Sequence, residues 1–564
     1  MFCYPNRMPN IRAAALALSL ASASLLALPA TGRAEPSVAP TGVYSDFLRA
    51  RFAAAQADLA VAAGEYLRAL EQAPGQTDLL RLAFRASALS SQPAAAGLAR
   101  LLPGDRDAQL YLAALAARSG DWDGVAARAR ALPRDDLSEV LRPILLAWSE
   151  QARGHPDEAL AMLSPGQDGP VRAIFVLHAG LIADLAGREA EAAQDFQKAE
   201  LSFEVPSVRL AETLASFDAR HGRAADAGRV LARAADGTPA IELALPALLA
   251  QASRPVVSNA TEGLAEAFLA AAASFRFSDQ GDTALLLLRL ALDLRPDLAP
   301  ARLLAADVLE ARHRSADASR LLDGIAAGDA LAPLARLHRA ALMQAAGDTG
   351  KALAELDALA RECPNDTLPL EQKAGLLQSA GHLAEATATL DQAIARLPAQ
   401  PPASAWALFF ARAVARDEDH DWAGSEADLL HARELSPDQP GPLNYLGYSW
   451  AEKGVRLTEA RQMIEKAAQL QPNDGAIVDS LGWVMLRQGD AQGAVRQLER
   501  ATELRPDDAT INGHLGDAYA AAGRRLEAEY QWRRALLLHP EDAEAAKLRM
   551  KLDETPRQSA RTDN

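Results

Sequence analysis

The chain has 564 residues, 49% hydrophobic but only 5% aromatic, with a formal charge of −16 and a pI near 5.2. Length alone, at about 150 residues per domain, suggests about four domains. So acidic a chain repels phosphate backbones and carries no local basic patch, which excludes nucleic acid as its main partner. Its 23% of charged residues and mean hydropathy of −0.09 exclude a disordered chain and a multi-span membrane protein. Ala and Leu supply much of the apolar content and β-branched residues are sparse, which favours helix over strand. Cys3 and Cys363 make neither a disulfide framework nor a thiolate metal site.

In chain order, residues 1–34 come first and read as a secretory signal peptide. Arg7 and Arg12 precede an apolar run over 13–28, Pro29 breaks it, and Gly32-Arg33-Ala34 offers small residues for cleavage before Glu35. The run is short for a membrane span, which needs about 20 residues. No cysteine follows it, so the usual bacterial lipid-anchor site is missing. Cleavage removes three arginines and no acidic residue, taking the formal charge from −16 to −19. The expectation is an exported, periplasmic chain with one thiol, Cys363, whose neighbours do not favour a reactive thiolate.

From residue 43 onward the chain repeats itself, weakly at first. Over 43–240 the fragments are Ala62, Tyr66, Ala69 and Pro74; Gly154, Ala159 and Leu163; Gly187, Ala192, Phe196 and Ala199; and Gly222, Ala227, Leu231, Ala234 and Pro239. Residues 241–264, with Pro246 and Pro255, leave the period and read as an extra helix, then a loop or linker. The register returns over 265–400, in Ala284, Leu288, Ala291 and Pro296; in Gly347, Ala352, Leu356 and Pro364; and in Gly381, Ala386, Leu390, Ala393 and Pro398. The stretch from Pro398 to Pro402 is a second punctuation.

Over 406–542 the period is plain. Pro437, Pro472, Pro506 and Pro540 are spaced 35, 34 and 34, and Ala432, Ala467, Ala501 and Ala535 keep that spacing. Gly447, Gly482 and Gly516 each follow a Leu, and Gly454, Gly489 and Gly523 form a fourth column. Residues 543–552 read as a solvating cap helix, which the end of a repeat array needs, and 553–564 as a disordered tail.

These columns resemble the tetratricopeptide repeat family, in which each unit of 34 residues is two antiparallel helices and a turn. The Leu-Gly pair and the Ala mark close helix crossings, with the packing residue three before each Ala (Leu498, Trp532). The mid-repeat Gly ends the first helix and the Pro ends the second. The resemblance implies an all-α, right-handed superhelical solenoid of about 13 such units. It also implies that first helices line a concave face that binds extended peptides or partner helices. On that face fall Asn444, Tyr448 and Glu452, then Asp479, Trp483 and Arg487, then Gly513, Asp517 and Ala521, with His514 beside them. The candidate binding residues are Asn444, Tyr448, Asp479, Trp483, Arg487, His514 and Asp517. The lysines with which some members grip a C-terminal carboxylate are missing.

The stretches Asn444-Tyr-Leu-Gly-Tyr-Ser-Trp, Val478-Asp-Ser-Leu-Gly-Trp and His514-Leu-Gly-Asp-Ala-Tyr are similar to exported repeat proteins of Gram-negative envelopes. That group includes an outer-membrane lipoprotein adaptor of a processing protease. Motifs for catalysis are lacking: there is no His-Glu-x-x-His, Gly-x-Ser-x-Gly or Gly-x-Gly-x-x-Gly pattern. The acidic run Asp417-Glu418-Asp419-His420-Asp421 falls at a turn and lacks the Gly and distal Glu of a calcium loop. The expectation is a non-enzymatic scaffold or adaptor without cofactor or metal. Its partners are proteins or peptides, with peripheral association to the envelope as one option. Its service is to a periplasmic processing protease or, alternatively, to assembly or secretion of envelope polysaccharide or outer-membrane proteins.

Overall fold

The computed structural model describes residues 42–163, 170–203, 206–274 and 281–554. The expected signal peptide over 1–34 and the tail from residue 555 lie outside the described residues. Within them there is no strand. The helices begin with α1 (Val43–Ala55), α2 (Leu59–Gln72), α3 (Thr77–Leu89), α4 (Ala95–Arg100), α5 (Arg106–Arg118), α6 (Trp122–Arg130), α7 (Asp136–Ala152), α8 (Pro156–Met162), α9 (Pro170–Leu185), α10 (Glu189–Leu201), α11 (Val208–Arg220) and α12 (Ala224–Ala235). Then come α13 (Pro239–Gln251), α14 (Ala260–Ala273), α15 (Gly281–Leu294), α16 (Ala299–Glu310), α17 (Ser315–Asp323), α18 (Ala332–Ala345), α19 (Thr349–Glu362), α20 (Leu368–Ser379) and α21 (Leu383–Ile394). After a short 3-10 turn, Ala403–Ala405, follow α22 (Trp406–Glu418), α23 (Trp422–Leu435), α24 (Pro440–Lys453), α25 (Leu457–Leu470), α26 (Gly475–Arg487), α27 (Ala491–Leu504), α28 (Ala509–Ala521), α29 (Arg525–Leu537) and α30 (Asp542–Glu554).

The chain forms two compact units, divided after Ala83. In the first, α1 pairs with α2. Ala50, Ala62, Ala63 and Ala69 are fully buried there, and the Phe47 and Tyr66 rings meet at 6.2 Å. Buried Asp46 accepts a hydrogen bond from Gln72 Nε2 at 2.7 Å.

The second unit is an all-α solenoid of helix pairs. Each first helix packs on its second, as in α22 with α23, α24 with α25, α26 with α27 and α28 with α29. Each of those second helices then packs on the helix that follows. The turn within a pair has a fixed chemistry. Gly489 stands at φ 86°, where an L side chain is strained. Asp490 then accepts the Gly493 N–H at 2.8 Å and caps α27. At the equivalent turn before α23 a non-glycine, His420, takes φ 67°.

The Leu-Gly and Ala columns work as close crossings. A Cβ on Gly447 would lie 2.7 Å from Ile464, and one on Gly482 would lie 2.5 Å from Leu498. At Gly516 the obstacle is the ring of Trp532. These are the residues three before Ala467, Ala501 and Ala535. A further column escapes a reading of apolar periodicity. Lys466 Nζ donates to the Pro437 carbonyl at 3.0 Å. Arg500 Nη2 donates to that of Pro472 at 2.6 Å and Arg534 Nη2 to that of Pro506 at 3.1 Å. One basic residue on each of α25, α27 and α29 thus fastens its unit to the backbone of the unit before it.

The sequence division at 264/265 needs correction. The boundary falls inside α14, and Gly263 and Leu264 are buried core rather than linker. α14 turns inward and packs on α5, α7 and α9 as well as on its partner α15. Gly263 is the point of closest approach, because a Cβ there would run into the Trp148 ring. Glu266 is buried between two arginines: Arg209 Nε donates to it at 3.0 Å and Arg295 Nη1 at 3.4 Å. Burial disfavours the Arg209 guanidinium, but Glu266 and Glu212 outweigh that and hold its pKa above the usual value. Below them Trp148 Nε1 donates to His178 Nδ1 at 3.2 Å. α13 meanwhile packs on α12 and on the first helices α18 and α20. The period fails over 241–264 because these residues fill the inner side of other repeats.

The punctuation near Pro398–Pro402 does not interrupt packing: α21 lies against α22 across it. The C-terminal helix α30 places buried Leu548 over Gly513 and so covers the last pair.

Candidate functional site

α24, α26 and α28 lie side by side, first helix against first helix. Gly447, Gly482 and Gly516 serve the crossings onto α25, α27 and α29, and neighbouring positions on the three first helices carry polar and aromatic groups. Asp479 on α26 is 6% exposed. Its carboxylate accepts a hydrogen bond from His514 Nδ1, which lies 3.0 Å from each oxygen. The His514 ring is stacked on Trp483, with centroids 4.2 Å apart and planes at 20°. Tyr448 flanks the same imidazole at 6.5 Å. Arg487 lies over the Trp483 ring at 5.9 Å, and its guanidinium is 3.5 Å from the Glu452 carbonyl oxygen.

The electrostatics favour a charged imidazole. Burial pulls the His514 pKa down, but the Asp479 carboxylate, with Asp517 and Glu452, more than reverses this and raises it above the usual value. Below that raised value the stack is a carboxylate-held imidazolium lying on an indole. The cation gains from the π face, and the ion pair fixes the ring plane.

Of the seven expected residues, four form one cluster: Tyr448, Asp479, Trp483 and His514. Arg487 borders it. Asn444 is half-buried, and its Oδ1 is a buried acceptor without a hydrogen-bond partner, as Trp483 Nε1 is a buried donor without one. Asp517 requires a correction. It does not face an open groove, since it accepts Trp532 Nε1 at 2.9 Å and Lys551 Nζ of α30 at 2.7 Å. Gly513 is likewise covered by α30. A cap helix was expected, but its occupation of the last concave positions was not, because the repeat pattern stops where α30 begins.

The groove continues on to α22. Phe410 stands edge-on to Tyr445 at 5.9 Å, and Tyr445 Oη donates to Asp417 at 2.8 Å. Arg412 and Arg416 share buried Asp428, at 2.6 Å and 2.8 Å. These residues escaped the sequence reading because Arg412 stands where the later repeats have Leu; the pair Arg412–Asp428 was the available signal. Among the described residues no group of three His, Cys, Asp or Glu side chains could hold a metal ion, and no helix is long and apolar enough to cross a membrane. Cys363 is half-buried, and burial, with Asp366 and Glu362, raises its thiol pKa.

No protein-family model matches the chain. It is 41% identical over 93 residues to TPR repeat-containing protein PA4667 of Pseudomonas aeruginosa, a match covering 16% of this chain and 16% of that protein. Among solved structures, the APC/C hetero-tetramer Cut9–Hcn1 aligns over 90% of this chain and 95% of its own, at 14% identity and a TM-score of 0.37. YrrB, described as a TPR protein with an unusual peptide-binding site, aligns over 35% of this chain and 97% of its own, at 19% identity and a TM-score of 0.28. The 34-residue register, the paired helices with left-handed turns, and the 93-residue match to a curated repeat protein together give this chain the fold of a tetratricopeptide-repeat solenoid.

Proposed function

We propose that this is a non-enzymatic scaffold that binds protein or peptide segments along α22, α24 and α26. The observation that carries this is where the chain covers itself. α14 lies along α5, α7 and α9, and α13 lies against α18 and α20. The inner first helices of those repeats are already occupied. The face of α24 and α26 keeps Tyr448 and Trp483 half-buried, with exposed Glu452 and Arg487 beside them. Aromatic side chains and Arg are the residue types that anchor protein interfaces.

The finer reading is export to the periplasm, on the leader pattern in 1–34, and service there as an adaptor for a processing protease. The motif likeness to exported envelope repeat proteins supports this. Assembly or secretion of envelope components is the alternative. A peptide array probed with residues 35–564 tests the binding face. Binding should fall at least tenfold in Tyr448→Asp and Arg487→Glu variants whose helical circular dichroism is native. If those variants bind as the parent does, the groove is not the binding face.

A further inference from the structure

We propose that α1 carries a self-association face and that its occupant is α1 of a second copy of this chain. Tyr44, Leu48 and Phe52 stand one turn apart on α1 and are 85%, 64% and 68% exposed. Spaced at i, i+4 and i+8, they form one apolar stripe.

The repeat register identifies this stripe. Ala57, at φ 63°, takes the turn position that Gly454, Gly489 and Gly523 take later. Counting back from each turn, Phe52 falls on Ser449, Val484 and Ala518, which are all buried. Leu48 falls on Tyr445 and His514. Tyr445 packs on Phe410 of the preceding first helix, and His514 stacks on Trp483 of the preceding first helix. Tyr44 falls on Gly441, Ala476 and Thr510; a Cβ on Gly441 would meet Phe410 at 3.5 Å, whereas Thr510 is exposed. The stripe is thus the face by which a first helix joins its predecessor, presented by a helix that has none among the described residues.

Two observations choose the occupant. First, once the leader is removed at 34, as proposed above, residues 35–41 (Glu-Pro-Ser-Val-Ala-Pro-Thr) precede the helix. Val38 is their one large apolar side chain, too little to cover Tyr, Leu and Phe over two turns. Second, the stripe is self-complementary. Antiparallel pairing about a two-fold axis at Leu48 sets Tyr44 of each copy beside Phe52 of the other, an isologous contact that closes. At the other end of the array α30 covers the last pair with Leu548 and Ala545 buried, while Leu526, Tyr530 and Leu537 of α29 stay exposed.

The three side chains expose roughly 400 Å² of apolar surface per copy, the size at which a patch marks an interaction site. That is about half the ~800 Å² per partner of a standard interface. The dimer is therefore weak and concentration-dependent. Sedimentation velocity of residues 35–564 should show the weight-average mass rising towards two chains between about 1 and 200 μM, the range over which such small interfaces associate. A Leu48→Glu variant should stay monomeric across it. Independently, Leu48→Cys in a Cys363→Ser background should give a disulfide-linked dimer on mild oxidation, while Tyr530→Cys in the same background should not. A parent chain that stays monomeric throughout overturns the proposal. So does a folded Leu48→Glu variant that dimerises as the parent does. Peptide binding by α24 and α26 is read separately, so failure here leaves that reading standing.

Discussion

Gly447 and Gly375 both sit inside helices, and the structure assigns opposite signs to their replacement by Ala. At Gly447 on α24 the new Cβ would lie 2.7 Å from Ile464 Cγ1 and 2.9 Å from the Ala460 carbonyl oxygen. The second atom belongs to the backbone of α25, so no rotamer change can relieve it. Carbon contacts are comfortable near 3.5 Å or beyond, so α25 must retreat by about half an ångström, spreading the crossing. Overpacking costs about 1–3 kcal/mol, and a backbone obstacle puts this site in the upper part of that range, about 2–3 kcal/mol, while the helix propensity of Ala returns about 1 kcal/mol. The expected net change for Gly447→Ala is a loss of about 1–2 kcal/mol. At Gly375 on α20 a Cβ would meet nothing within 4 Å, and Ala should add up to about 1 kcal/mol. Urea titration separates the two. Five of the seven tryptophans, Trp406, Trp422, Trp450, Trp483 and Trp532, lie in the C-terminal block, so indole fluorescence is weighted towards that block while circular dichroism follows all helices. With a slope of about 2 kcal/mol/M, Gly447→Ala should lower the fluorescence midpoint by about 0.5–1 M. An unchanged or raised midpoint for Gly447→Ala would refute the close-crossing argument. So would a loss of stability in Gly375→Ala.

Three other outcomes follow from particular contacts. His178 is fully buried, and desolvation outweighs Glu266 and brings its pKa down to about 4 from 6.5. The unfolded chain takes up this proton first, so the contribution is complete above about pH 6.5 and is lost as pH falls towards 4, a change of about 3 kcal/mol. Chemical denaturation at pH 4.5 and 7.5 should show that slope, and a folded His178→Phe variant should show less of it. His514 runs the other way: its folded pKa is raised, so its contribution is present below about pH 6.5 and is lost as pH rises through the folded value. A proton NMR titration should place the His514 ring above 6.5 in the parent and lower in Asp479→Asn. Finally, Arg500→Met removes the donor to the Pro472 carbonyl; a loss of about 1 kcal/mol is expected, with faster amide exchange at the turn before α26. Unchanged exchange there would mean that the bond holds nothing in place.

What could be read from the sequence differs along the chain for a physical reason. Where repeats stack only on their neighbours, over 406–542, each residue type reports a local demand: Gly at a crossing, Pro after a second helix. Such demands recur every 34 or 35 residues, and the fold could be read from them. Over 241–264 the partners are distant in sequence. Gly263 is small because of Trp148 and Glu266 is charged because of Arg209, and neither fact has a period. The site was partly legible in the same sense. Tyr448 and Trp483 share one register column and can be picked out by it, whereas the pairing of Asp479 with His514 joins two different columns. Asp517 was misjudged because its partner, Lys551, lies past the last repeat.

The basic fasteners have a consequence for how such an array can change. Lys466, Arg500 and Arg534 each hold a carbonyl oxygen of the backbone, and Lys466 also pairs with the Asp438 carboxylate. No substitution at the receiving position deletes that oxygen. Each of these units therefore brings its own clasp and needs no particular side chain from its neighbour for that bond. A duplicated or transplanted unit would arrive already able to attach, and only the donor residue has to be kept for the junction to survive.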